Sequence, residues 1–554
     1  MPPVPPRSPV DDALPSAPRA GSLVVSSASG RWVLLATVLG SGLAAIDATA
    51  VGVALPSIGR DFDTGLASLQ WIVTAYTLTL AGLLLVGGSL GDRLGRRRVF
   101  MVGVAWFATS SLLCGLAPNA PALIGARALQ GIGAALLTPG SLAILQSSFA
   151  EDDRSRAIGA WSGLSGVATA VGPFLGGWLV AAVSWRLIFF INLPLALAVL
   201  LIAARHVPES TDPAAPRRTD LAGAALVTLG LVGLCYGLIE GPTRGWSSAP
   251  AAVPLAAGVA LLVAFVAAER RVREPMLPLG LFTSRQFSAA NLVTFVVYAG
   301  LGGALFLLPI ELQQVGRYSP LEAGTALLPI TIIMLALSAR SGALADRIGP
   351  RPQMSLGPVV AGVGLALLSR AGHGDGYWRD VLPAVVVLGL GLATTVAPLT
   401  STALAAAPAH NAGVASAVNN DVARTAQLLA VAVLPAAAGL AGASALSPDA
   451  FNHGFRIAMW LAAGLAVAGG LTAFAGIRRP APRPLPAPAP AAEAARAALP
   501  VPEAMPAPTG VLGTPAPDQA RPQQHFRHCA LEATPAATAP GNCPGVPPTQ
   551  TVER

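Results

Sequence analysis

Residues 88–98 read GSLGDRLGRRR, and residues 342–352 read GALADRIGPRP. Both fit G-x-L-[G/A]-D-R-[L/I]-G-x-R, and each stands where a long apolar run gives way to charge. A repeat of this kind divides a chain into two equivalent halves, each built on the same unit. Working outward, each copy closes the second apolar run of a set of six. The runs between the two sets are then an insertion.

The runs themselves decide the solvent. Of 554 residues, 53% are hydrophobic and 11% charged, with mean hydropathy +0.62. A soluble domain carries about 25% charged residues, so this chain lacks the polar surface to face water all round. A spanning helix needs about 20 apolar residues. Fourteen segments meet that length approximately, at 32–55, 71–90, 99–117, 122–146, 158–182, 187–204, 221–239, 251–268, 289–312, 323–345, 354–369, 381–403, 413–440 and 455–477. Backbone groups in lipid must be satisfied internally, and no strand-length alternation is present, so the segments are read as helices. The expected architecture is an all-α integral membrane protein. It has a six-helix lobe at 31–206, a linker with two extra helices at 207–285, and a second six-helix lobe at 286–478. A pseudo-twofold axis along the membrane normal relates the lobes. Residues 1–30 and the Pro/Ala-rich tail 479–554 are expected to be disordered, being unable to bury a core.

Net charge is +8, and all 35 basic residues are Arg. They gather in alternate connections: Arg93, Arg96, Arg97 and Arg98; Arg154 and Arg156; Arg205, Arg217 and Arg218; Arg270, Arg271, Arg273 and Arg285; Arg347 and Arg351; Arg478 and Arg479. Such alternation follows the positive-inside rule and places both termini in the cytoplasm, as an even helix count requires. Topology therefore accounts for the basic charge without nucleic acid. His525, His528, Cys529 and Cys543 in the tail fit no metal-ligand spacing, and no metal or other cofactor is expected. Cys114 and Cys235 fall inside apolar runs and read as filling.

On these residues the chain resembles the major facilitator superfamily, whose signature joins its second and third helices as Gly88–Arg98 does here. In that reading Gly88, Asp92, Arg93, Gly95, Arg96 and Arg97, with Gly342, Asp346, Arg347 and Gly349 in the second copy, form a cytoplasmic gate. The glycines allow tight turns and close helix approach, and Asp92 bonds helix-end amides or pairs with Arg across the lobes. GVATAVGPFLGG (166–177) is similar to the helix-5 motif of exporting members. There Gly172 and Pro173 loosen the helix, and Gly176 and Gly177 permit close packing. WRLIFFINLP (185–194), PMLPLGLF (275–282), LQQVGRYSPLEAG (312–324) and GVASAVNNDVARTAQLLAVA (413–432) resemble the fourteen-helix drug:proton antiporters of the EmrB/QacA type. The resemblance spans roughly residues 30–478. It implies a monomer that exports drug-like small molecules from the cytoplasm in exchange for protons.

A charge at mid-bilayer costs several kcal/mol, so each is a functional candidate. Asp47, in LAAIDATAVGVALP, lies about 12 Å below the outer end of helix 1, and Arg127 about 8 Å below that of helix 4. Their depths match within a turn, which predicts that they approach one another. The resemblance gives Asp47 a role in proton or cation binding and Arg127 one in proton coupling. Asp421 and Arg424, one turn apart, are expected to neutralise each other or to join the coupling site. Glu311 is expected near the outer interface beside Arg317, as a lesser candidate for the proton path. Trp71 reads as an interfacial anchor, and Tyr76 and Gln130 as cavity lining. An importer of the same fold is the nearest rival. A membrane enzyme or sensor would need clustered His, Asp or Cys at one face, and the six His are scattered.

Overall fold

The computed structural model describes residues 21, 23–213, 219–272, 275–372, 376–407, 412–441 and 447–478. Residues 1–20, Arg217, Arg218, Arg273 and the tail from 479, with its His and Cys residues, lie outside them. The described chain is helical, with a single isolated bridge between Leu23 and Phe149. That bridge, and a first helix beginning at Ala28, fall within a segment expected to be disordered. Leu23 there exchanges backbone bonds with Ser148 and Ala150.

The first lobe comprises α1 (Ala28–Asp61), α2 (Leu66–Leu94), α3 (Arg96–Gly115), α4 (Ala120–Ser148), α5 (Glu151–Ala182) and α6 (Leu187–His206). The insertion is α7 (Leu221–Arg244) and α8 (Ala249–Glu269). The second lobe holds α9 (Arg285–Gln314), α10 (Pro320–Ile348), α11 (Pro350–Leu368), α12 (Tyr377–Ala405), α13 (Ala412–Ala437) and α14 (Pro448–Gly476). Among the described residues, 12 of these helices are long and apolar enough to cross a membrane; α11 and α13 are not among the 12. Boundaries differ most at the starts of α5 and α14, each seven residues earlier than expected, and α1 runs to Asp61 through Pro56 rather than stopping near 55.

The two lobes repeat one packing pattern. In the first, α2 and α3 pack on α4, α1 on α5, and α6 on α1 and α3; in the second, α10 and α11 pack on α12, α9 on α13, and α14 on α9 and α11. The repeated sequence sets the same local structure twice. Gly95 has φ +112° and Gly349 φ +84°, values that favour glycine, and each N–H caps the preceding helix by bonding Gly91 and Ala345 carbonyls. The chain can thus end one helix and begin the next within a single residue.

Between lobes, α5 meets α10 and α2 meets α13, pairs that the pseudo-twofold interchanges, while α1 meets α9. The inserted α7 packs on α2 and α13 and so covers one of the two seams. Leu78, Leu231, Cys235 and Leu428 form a small core there. Trp71 turns toward Tyr236 of α7, with ring centroids 6.0 Å apart.

Candidate functional site

The first lobe buries one ion pair. Arg127 of α4 is 1% exposed and Asp47 of α1 0%, with Nη1 2.5 Å from Oδ2. The approach predicted from depth is therefore present. Neither group reaches water, so the remaining bonds must be made by protein. Arg127 Nε donates to the Ile72 carbonyl at 3.2 Å, and Nη1 also donates to Gln130 Oε1 at 2.6 Å. The guanidinium lies 4.2 Å over the Tyr76 ring. On Asp47, Oδ1 accepts from Gln130 Nε2 at 2.8 Å and Asn192 Nδ2 at 3.2 Å. Both amides also donate to Ser111 Oγ, at 2.7 and 3.2 Å. Five helices thus converge on one carboxylate. Tyr76, expected to line the cavity, is only 3% exposed and serves as the floor under Arg127.

The α2–α3 loop bonds to the linker that follows α6. Asp92 pairs with Arg96 of its own loop, with Nη2 at 2.8 Å. Arg93 donates to Thr219 Oγ1 at 2.8 Å, and the Arg97 N–H donates to Glu209 Oε1 at 3.0 Å. Glu209 also faces the Arg97 and Arg98 guanidiniums at 3.7 and 3.6 Å. Among the described residues, Asp92 makes no ion pair across the lobes, and Asp346 and Arg347 stand exposed. Gly88 lies inside α2 rather than in a turn; an added Cβ would meet Pro139 at an ordinary 3.6 Å, and Gly342 is looser still. It is Gly87 whose missing side chain lets α2 close on the Ala135 carbonyl of α4.

The lobes meet on the side opposite this Arg-rich loop. Gln313 Nε2 of α9 donates to the Val53 carbonyl of α1 at 2.8 Å, and Gln70 Nε2 of α2 to the Val431 carbonyl of α13 at 2.6 Å. A Cβ on Gly177 would strike the Pro320 carbonyl, and one on Gly324 the Pro173 carbonyl. Gly176 likewise admits Ala50 of α1. Pro173 cannot bond the Thr169 carbonyl four residues back, and the Thr49 hydroxyl of α1 lies 3.4 Å from that oxygen. The stretch 312–324 builds its half of the contact from turn chemistry. Arg317 takes φ +57°, and Ser319 and Glu322 form a capping box at the start of α10.

A profile of the Major Facilitator Superfamily matches residues 37–427. The chain belongs to the major facilitator superfamily. It is 36% identical over 411 residues to the tetracenomycin C resistance and export protein of Streptomyces glaucescens, covering 74% of this chain and 76% of that one. It is 37% identical over 449 residues to the puromycin resistance protein of Streptomyces alboniger, covering 78% and 89%. The methylenomycin A resistance protein of Streptomyces coelicolor is 34% identical over 448 residues, covering 80% and 92%. In fold, the crystal structure of a peptide transporter in complex with sulfate matches with TM-score 0.60 at 16% identity, over 82% of this chain and 96% of that one. A D-xylose–proton symporter matches with TM-score 0.59 at 15% identity, over 81% and 98%.

As a superfamily transporter the chain is a multi-pass membrane protein, and two expectations about its charges need correction. Glu311 is 0% exposed and makes no pair with Arg317. Both its oxygens lack partners, and it lies beneath Gly372 near Asn452. The turn at Arg317 carries that side chain to the surface, while α9 aims Glu311 into its own lobe. Asp421 and Arg424 do not form an ion pair either, and Asp421 Oδ1 is buried without a partner. The spacing itself permits a pair, since Asp153 and Arg156 make one at 3.7 Å three residues apart on α5, so spacing alone does not decide whether two charges meet.

Asn192, Ser111, Thr49, Gln313 and Glu209 went unnoticed in the sequence. Asn192 had a signal: it is the Asn of WRLIFFINLP, a stretch that carries the resemblance. The same stretch supplies Trp185 and Arg186, which hold Asp61 at the end of α1 at 3.0 and 2.7 Å.

Proposed function

We propose that this protein exports antibiotic-like amphipathic small molecules from the cytoplasm in exchange for protons, by alternating access and as a monomer. The observation that carries the proton half is the Asp47–Arg127 pair, buried with every bond made by protein. An acid in that position can take up and lose a proton only when its surroundings rearrange, which is what coupling requires. Relatives named for resistance and export support outward transport rather than import. The arginine alternation supports cytoplasmic termini and a cytoplasmic position for the gate loops, hence fourteen crossings with α11 and α13 included. The lobes and linker divide the chain at 31–206, 207–285 and 286–478.

On this reading the conformer is closed toward the outside, where Gln313, Gln70, Gly177 and Gly324 join the lobes. Asp47 has both oxygens occupied and no exposed surface, so a cationic drug does not bind it directly. Competition between drug and proton is instead indirect. The drug favours one arrangement of α1 and α4, and the proton favours the other. Each proton moving down 100 mV contributes about 2.3 kcal/mol. Asp92, with Arg93, Arg96 and Arg97, closes the cytoplasmic side when the lobes rock, while Glu209 and Thr219 hold that loop to the linker. Asp421, Arg424 and Glu311 are charges of the second lobe available to the same cycle.

The test is transport in everted membrane vesicles with puromycin, tetracenomycin C and methylenomycin A as the panel. Export activity appears as drug accumulation that starts on acidifying the lumen and collapses with a protonophore. Accumulation in right-side-out cells instead would establish import and overturn the proposal.

A further inference from the structure

Asp47 Oδ1 faces two amide groups, and they are not equivalent. Gln130 donates to it through Nε2 while its Oε1 accepts from Arg127 Nη1 at 2.6 Å. Turning that amide over would set its N–H against a guanidinium and forfeit the bond. Asn192 donates to Asp47 and to Ser111 through Nδ2, but its Oδ1 is buried with no partner. The residue is itself 0% exposed, so water does not supply one. A buried carbonyl without a donor is uncommon enough to call for an explanation. Here it stands one amide turn from a carboxylate that must at some stage hold a proton.

We propose that Asn192 is the proton-state switch of this site: its amide presents Nδ2–H to ionised Asp47 and turns over to present Oδ1 to the protonated acid. The inference rests on the reading of Asp47 as the proton-binding group. In the step, a hydronium from the outer side gives up a proton, one O–H of the hydronium breaks and water remains. The new O–H forms on Asp47 Oδ1, and the unit of positive charge stays in the site. Without a turn, that new hydrogen would point at two N–H donors. With it, Asp47 O–H donates to Asn192 Oδ1. The Ser111 hydroxyl, until then an acceptor for both amides, can rotate to donate to the same oxygen. Arg127 then faces a neutral acid: Oδ2 still accepts from it but the ion pair is gone, while Gln130, Ile72 and the Tyr76 ring hold it as before. The titratable and charged groups facing the site are Arg127 on α4, Tyr76 on α2 and Cys114 on α3, whose Sγ is 3.6 Å from Gln130 Oε1, with Arg424 of α13 acting on Tyr76 from the other lobe. From α6 the facing group is the neutral Asn192. Asn192 is thus a positioning residue with two settings.

The purified full-length protein in lipid, without drug, gives a direct readout: the carboxylic-acid carbonyl infrared band of Asp47, assigned by its loss in Asp47→Asn and titrated with pH. Asn192→Leu removes the only acceptor of the protonated acid but just one of several donors to the ionised one. Its midpoint should fall by about one pH unit, a tenfold weaker hold on the proton. Asn192→Asp places a second carboxyl beside the first, and the pair should take up its shared proton at least one pH unit above wild type. Asn192→Ser keeps a group that both donates and accepts, and should titrate near wild type. A residue that merely packs would not move the midpoint in opposite directions with two near-isosteric replacements. Equal midpoints in all variants, or shifts of Leu and Asp in the same direction, overturn the switch. Should the Leu variant fail to fold, the Asp and Ser variants decide on the same criteria. A wild-type protein with no titrating Asp47 band overturns the proton role of Asp47 and the switch with it.

Discussion

Replacing Asp47 by Asn leaves Arg127 in place, buried and still charged. A guanidinium cannot shed its proton, and at 1% exposure it has no water to turn to. Its remaining partners are one backbone carbonyl, Gln130 Oε1 and the Tyr76 face, all neutral. Removing one member of a buried pair typically destabilises by about 3–5 kcal/mol, and the middle of that range, about 4 kcal/mol, applies to this site. That is close to a thousandfold in the ratio of folded to unfolded protein. Arg127→Leu should be milder, because the orphaned carboxyl can take up a proton and keep its bonds to Gln130 and Asn192. The Asp47→Asn, Arg127→Leu double variant buries no charge; it loses packing around a shorter side chain and the Arg127 bonds to the Ile72 carbonyl and Gln130 Oε1, about 3 kcal/mol in all. The double variant should therefore be more stable than Asp47→Asn alone. Equilibrium unfolding of the four proteins in mixed micelles with a denaturing detergent measures this cycle. If the two single effects simply add, the pair is not coupled and the buried-charge reasoning fails.

Asp92→Asn should lower efflux severalfold with normal membrane insertion, since it removes the loop's anchor for Arg96. Asp346→Asn should do less, because its loop has Pro350 at the corresponding place; equal efflux from both variants and wild type counts against a gate. Gly177→Leu would drive a side chain into the backbone at Pro320 and Leu321, so the outer seam cannot close. Cysteine probes at that seam should become permanently accessible while efflux is lost, and unchanged labelling would refute the contact. Deleting residues 485–554 should leave membrane level and efflux near normal. Lost transport at normal expression would show the Pro-rich tail to be needed.

What could be read from the sequence depended on how sharply each residue contrasts with its surroundings. An apolar run reports its solvent whatever it packs on, so the helices and the two-lobe repeat were legible. Asp47 and Arg127 were legible for the same reason, each being a charge where charge is costly. Asn192 and Ser111 were not, because neutral polar residues are common in membrane helices and their partners are fixed only by packing. Glu311 misled because nearness to Arg317 in sequence ignores the turn between them. Gly88 misled differently: its motif position suggested a turn, yet α2 continues through it to Leu94 and turns only at Gly95. A motif marks that a backbone position matters; which helix it meets is settled three-dimensionally.

For the proposed export cycle, the placement of these contacts along α1 offers a physical link between proton and gate. Asp47 is held by the α4 and α6 side chains. Thr49 reaches the carbonyl that Pro173 frees on α5, and Ala50 fills the notch at Gly176. The Val53 carbonyl accepts from Gln313 of the other lobe. These are successive turns of one helix, about 9 Å from Asp47 to Val53. A helix segment of that length moves as a body, so a change in what holds Asp47 cannot leave the Gln313 bond unaffected. Pro56 leaves the Gly52 carbonyl without its intrahelical bond, so the coupling passes through the other backbone bonds of that turn. In the proposed cycle the two-state element that both sites bias is α1 itself, and no longer-range pathway is required. On that proposal, loss of the Asp47 charge weakens the hold of Arg127 at one end of this segment, and the seam at Gln313 yields at the other.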